Sequence, residues 1–282
     1  ENDENDWNDK PPIKQEKSSQ NDGKNSEINE DSDRCLEAHY ESVMEIFKET
    51  VSSVNFIFFE TILLPFFKRN PKLVRDNIYE IIVITFTDKS CFFLSEFLNY
   101  PGIDVNYHMK SDNQTFLSQS ILDQNTKAVE ILLNRPDIRV NEECYEKHSA
   151  FQCACAINSD MKIIKLFCKT PGFDINFEDP DCNESAFQIM AQSGFYKAAQ
   201  YVVDNFPDLK FGDFILLFFF AISNNHFLML KYLVKFYLMK NKNFDESKLT
   251  CEFKKRFKFI EGYNENFVVI LHNIIHEVIE II

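Results

Sequence analysis

Glycine is scarce: six residues in a chain of 282. A phosphate-cradling loop needs several closely spaced glycines, so nucleotide-binding loops of that type are excluded. No GxSxG elbow and no isolated pair of carboxylates stands out, and no catalytic centre is read from the sequence. Basic charge is also in short supply, with 30 Lys and Arg against 44 Asp and Glu and a net charge of −14. That balance argues against nonspecific nucleic-acid binding, which depends on neutralising phosphates. The one basic stretch, Lys254, Lys255, Arg256 and Lys258, is short and reads as a solvated helix face.

Long apolar runs are missing as well. The strongest, FILLFFFAI at 214–222, would make about 14 Å of helix, under half of a hydrocarbon layer about 30 Å thick. A second, at 54–67, contains Glu60 and Pro65. Both read as buried helices. The eight cysteines follow no framework spacing, and a chain of this length needs no disulfides, so reduced thiols in a cytoplasmic protein are expected. The sequons at Asn113 and Asn183 are common triplets in an Asn-rich chain. A leader and an initiator Met are both lacking, which reads as a piece of a longer chain.

What is present is apolar and aromatic: 45% of residues are hydrophobic, and 30 are Phe. The charge is uneven. Residues 1–33 hold eleven acids against Lys10, Lys14, Lys17 and Lys24, which is half of the net charge. With almost no apolar residues, this acidic tail is expected to stay disordered.

A phrase recurs along the rest of the chain. NYPGIDVN at 99–106, NRPDIRVN at 134–141 and KTPGFDIN at 169–176 are followed by a weaker NFPDLKF at 205–211. The prolines, Pro101, Pro136, Pro171 and Pro207, are 35, 35 and 36 residues apart. A fixed period of this size signals stacked supersecondary units. Between prolines each unit reads as a short helix, a break, and a longer helix, as in SAFQIMAQ, SG, FYKAAQYVVDNFP. Val129, Leu132 and Leu133 show the helical period. Gly194, Asn125, Asn158 and Asn225 fall at the breaks, where positive φ is expected. Proline stops the second helix, and the alternation after it suits a short extended arm.

These units resemble the ankyrin repeat. The second-helix matches are AVEILL at 128–133, IIKLFC at 163–168, AAQYVV at 198–203 and LKYLV at 230–234, with IDVN, IRVN and FDIN as the closing segments. Residues 185–203 fit the family register without a gap. No unit keeps the His of the family's opening motif, and Phe116, Ala150 or Ala186 stands where the family has Pro. These losses should weaken hydrogen bonding between repeats. A period near 34 also suits tetratricopeptide helices, which lack the proline and the β-branched arm.

The resemblance implies an all-α architecture, an α-solenoid of stacked helix-turn-helix ankyrin-like repeats with helical caps. Residues 34–77 are the N-terminal cap, 78–240 about five repeats, and 241–282 C-terminal helices acting as a cap or opening a further repeat. It also implies a non-enzymatic, monomeric module, without cofactor, that binds a partner protein on its concave face and loop tips. The expected rim is Tyr107, His108, Lys110, Glu142, Glu143, Tyr145, Glu146, Phe177, Glu178, Asp179, Asp181 and Glu184. Its acids point to a basic partner and its aromatics to contact area, while the same acids also suit solvated turns. Alternatives are the recognition arm of a larger enzyme and a membrane-associated repeat protein.

Two constellations resemble metal ligands. His272 and His276 lie at i and i+4, but no third ligand is evident in the sequence. Cys153 and Cys155 have no second pair at ligand spacing. Both pairs read as packing or surface residues.

Overall fold

The computed structural model describes residues 39–100, 102–109, 113–144, 147–178, 184–260 and 263–281. The acidic tail, 1–33, lies outside them. Among the described residues the chain is all-helical, and the nearest approach to a sheet is two isolated antiparallel bridges, Glu143 with Ser149 and Glu178 with Ser185. The extended arms expected after each proline are turns instead. Their backbone groups bond to side chains of the preceding unit, as described below, and not to a partner strand.

Helix α1 covers 39–52. Helices α2 (Phe56–Phe58) and α3 (Leu64–Arg69) are continuous through a π turn, Phe59–Leu63. The π turn directly precedes Pro65, which has no N–H to give to the helical ladder, and such irregularities gather where that ladder is interrupted. Five helix pairs follow. They are α4 (Pro71–Thr85) with α5 (Phe92–Leu98), α6 (Phe116–Leu122) with α7 (Thr126–Leu133), α8 (Ala150–Ala156) with α9 (Met161–Phe167), α10 (Ala186–Ser193) with α11 (Tyr196–Asn205), and α12 (Phe214–Ser223) with α13 (Phe227–Lys240). Helices α14 (Glu246–Phe257) and α15 (Asn266–Ile281) close the chain. The boundary expected at residue 78 falls inside α4, so the first pair begins at Pro71.

Helices of like position contact each other in sequence: α6 to α8 to α10 to α12, and α7 to α9 to α11 to α13. The burial pattern follows from this arrangement. A first helix has neighbours before, after and beside it, so it is buried almost all round. In α8 the six residues from Ala150 to Cys155 are buried in succession, and the small Ala and Cys side chains let the neighbours approach. Cys153 and Cys155 are therefore core residues. The second helices bury only a stripe, at Ala128, Val129, Leu132 and Leu133, then Ile163, Ile164 and Phe167, then Ala198, Ala199 and Val202, then Met229, Leu230, Leu233 and Val234. Each fully buried Val, Leu, Ile, Met or Phe side chain among them contributes about 1.5–3 kcal/mol.

Three first helices begin with the same device. Thr115, Ser149 and Ser185 each accept a bond from the backbone of the residue three positions on, and the side chains of Ser118, Gln152 and Gln188 accept one in return. This reciprocal cap satisfies two backbone donors that the helix start leaves unpaired. At α12 Asp213 alone caps, accepting from Ile215.

The breaks differ from expectation in one unit. Gly194, Asn158 and Asn225 adopt positive φ, but Asn125 does not; Gln124 takes that conformation, at φ 54°. Asn125 is committed elsewhere. Its side chain caps α7 through the Ala128 amide and donates to the Phe86 carbonyl of the previous pair.

The N-terminal end is closed by aromatic packing. Phe47 of α1 meets Phe67 edge-on at 5.6 Å and Phe97 at 5.6 Å, and Phe59 meets Phe93 at 4.9 Å. Such T-shaped pairs place ring edges against ring faces, their favoured geometry.

Candidate functional site

The recurring phrase has a physical purpose. Its final asparagine clasps the next unit. Asn106 Nδ2 donates to the Asp137 carbonyl at 2.7 Å, and Asn106 Oδ1 accepts from the Arg139 amide at 2.7 Å. Asn141 makes the same pair with the Gly172 carbonyl at 2.7 Å and the Asp174 amide at 2.9 Å. Asn176 repeats it with the Asp208 carbonyl at 3.1 Å and the Lys210 amide at 2.8 Å. A carboxamide has one donor group and one acceptor group arranged like those of a peptide, so Asn can stand in for a backbone strand at this point. The result is a ladder along one edge of the stack. Within NRPDIRVN itself, Arg135 forks onto Asp137 at 2.9 and 3.0 Å and donates to the Leu98 carbonyl at 3.1 Å.

The loop tips ahead of the first helices carry the expected rim. They are joined to one another more closely than the sequence implies. Tyr107 stacks on Tyr79 of α4 with 3.6 Å between centroids, so its ring is half-buried against α4. Burial pushes the Tyr79 hydroxyl above its ordinary pKa. His108 contacts Asn113 at 3.1 Å through Nδ1 and Glu142 at 3.3 Å through Nε2. Arg139 reaches the same Glu142 oxygen, Oε1, at 3.1 Å, while Oε2 is enclosed without a hydrogen-bonding partner among the described residues.

At the next junction of tips, His148 lies 3.5 Å from Glu184. Each tip thus sets a histidine beside a glutamate of the next. His148 ends the 142–148 loop of the expected rim without being one of its named side chains; its position, one residue before the capping Ser149, is the signal that could have singled it out. Bonds from side chain to backbone tie the tips as well. Asn113 Nδ2 donates to the Cys144 carbonyl at 3.0 Å, and Gln152 Nε2 donates to the Glu184 carbonyl at 2.6 Å. Between these loop tips, hydrogen bonding is therefore supplied by Asn113 and Gln152.

Of the expected rim, the structure brings together His108 and Glu142, and aligns Glu184 one unit on. Glu143 and Phe177 are half-buried and Glu178 is exposed. Lys110, Tyr145, Glu146, Asp179 and Asp181 lie outside the described residues. Half-buried Gln119, Gln188 and Gln192 of α6 and α10 continue the surface. A cleft of 400 Å³ lies behind the tips, between residues 138–142 and the turn at Pro171 and Gly172. On α14, Lys254 pairs with Glu265 at 3.7 Å, and Arg256 contacts Asp213.

No protein-family model matches the chain, and no curated protein matches it. Among the described residues, no helix is long and apolar enough to cross a membrane.

Proposed function

We propose that the paired helices form an ankyrin-like solenoid, and that the chain is a non-enzymatic module binding a partner protein along the row of loop tips and the adjoining faces of the first helices. The asparagine ladder carries this reading. It repeats with the same atoms and the same register across three successive joints, which is how a stacked array presents one continuous surface rather than a single enclosed pocket. Free thiols at Cys91, Cys155, Cys168 and Cys251 fit a reducing compartment such as the cytoplasm. Burial holds Cys155 well above its ordinary pKa and pushes Cys168 up to about 12, which suits inert packing groups rather than nucleophiles.

The partner face is basic in this reading, with a qualification that the geometry supplies. Glu142 and Glu184 are already shared with His108, Arg139 and His148. Glu178, exposed at the third tip, is the carboxylate best placed to meet an incoming cation. The test is affinity capture with residues 34–282 as wild type and as Glu178→Lys, followed by association kinetics with what is retained. The charge reversal should slow association, most at low salt, because rim charges act chiefly on the encounter rate. Equal capture and equal rates would remove the rim from consideration.

A further inference from the structure

The two histidines that lack a third ligand in the sequence acquire one in the fold. His272 and His276 are one turn apart on α15, so both rings project from one face and their centroids lie 4.4 Å apart. Helix α14 packs against α15 and brings Glu246, 26 residues before His272, to the same place. Its Oε1 contacts His272 Nδ1, and its Oε2 lies 3.3 Å from His276 Nε2. One ligand atom from each residue falls within 4.8 Å of the others. Ligands bound at about 2.0–2.2 Å around a tetrahedral ion stand roughly 3.4 Å apart, so small side-chain rotations would complete the set.

We propose that Glu246, His272 and His276 form a zinc site. Two imidazole nitrogens and a carboxylate oxygen are the donor set that a borderline ion such as Zn²⁺ takes, and an oxygen-only preference would not select it. Both histidines are more than half exposed, at 53% and 57% of the side chain, while Glu246 is 24% exposed. The ion would therefore rest on a partly buried carboxylate and keep its remaining position toward water. Glu277, next to His276, is held by Lys231 of α13 at 2.5 Å. The consequence is a clip between the last two helices. Zinc would replace a weak contact between α14 and α15 with coordinate bonds, and so stabilise the C-terminal end of the stack.

The experiment uses the full chain without an affinity tag, titrated with zinc chloride by calorimetry and with Co²⁺ as a spectroscopic probe. One equivalent should bind, with visible cobalt bands of a nitrogen and oxygen site and without the sulfur-to-cobalt charge-transfer band that cysteine ligation produces. His272→Gln, His276→Gln and Glu246→Gln should each weaken binding about tenfold or more, since losing a direct ligand should cost at least as much as losing a supporting contact, about 10–100-fold. Zinc should also raise the melting temperature of the wild type and not that of His276→Gln. All three residues are on or near the surface, and circular dichroism checks that each variant is folded; Glu246→Asp, which keeps the carboxylate, is the conservative partner of Glu246→Gln and should bind more tightly than it. Absence of stoichiometric uptake, a thiolate band, or variants that titrate like the wild type would each overturn the assignment.

Discussion

Replacing Asn106 with alanine isolates one rung of the ladder. The side chain is 8% exposed and makes two bonds of 2.7 Å to the backbone of the next unit. A hydrogen bond of this kind contributes about 0.5–1.5 kcal/mol net, so the loss should be about 1–3 kcal/mol. Asn141 and Asn176 sit in more open surroundings, where water can take over their bonds, and about 1 kcal/mol is expected for each. Asn106→Asp is the sharper variant. It keeps an acceptor for the Arg139 amide but turns a carboxylate oxygen toward the Asp137 carbonyl, so it should cost at least as much as alanine despite its matching shape. Urea unfolding should show a lower midpoint with an unchanged slope, and the melting temperature should fall about 2–4 °C per kcal/mol. Amide exchange supplies the local check. The amides of Arg139, Asp174 and Lys210 should each lose protection only when their own asparagine is replaced. Unchanged exchange at Arg139 in Asn106→Ala, together with an unmoved midpoint, would refute the clasp.

Two further outcomes are expected. Gly194→Ala should be more harmful than Gly172→Ala: both positions have positive φ, which costs a non-glycine residue about 1–2 kcal/mol, but a Cβ at 194 would also stand 2.5 Å from the His226 ring, whereas at 172 nothing lies within 4 Å. Equal thermal shifts would contradict the close approach of the two turns. The second outcome concerns acid. The hydrogen-bonded Arg135 guanidinium holds the Asp137 carboxyl below its ordinary value of 3.8. A depressed folded-state pKa contributes stability above the unfolded value and loses it as pH falls through the folded one, so the effect fades below about pH 4. Asp137 is half exposed, so the contribution is modest. Urea midpoints measured from pH 5 downward should fall less steeply in Arg135→Gln, and identical slopes would sever the link.

Much of this fold was readable because local chemistry and stacking agree. The helix pairs and the stripe at Val129, Leu132 and Leu133 follow from periodicity, and the buried 214–222 helix from the length of its apolar run. What escaped depends on partners distant in sequence. The repeated asparagine is visible as a letter, but its target carbonyl is not. Asn125 looked like a turn residue because its type tolerates positive φ; the bond to Phe86 and the cap on α7 hold it elsewhere and pass the turn to Gln124. The resemblance places the start of the repeats at 78, although α4 runs unbroken from Pro71. The acids of the rim were visible, while their sharing with His108 and His148 required two tips to meet. Glu246 shows the same limit: nothing in a run of surface-helix residues predicts which carboxylate the next helix will face.

Three successive joints of the stack are closed by the same pair of atoms on one side and the same two backbone groups on the other. A duplicated segment of one period would arrive with a donor and acceptor ready for the unit after it and with the backbone groups that the unit before it requires. Gain or loss of whole modules is therefore the cheapest change in length open to this chain, and a shift of a few residues within a module is among the most damaging.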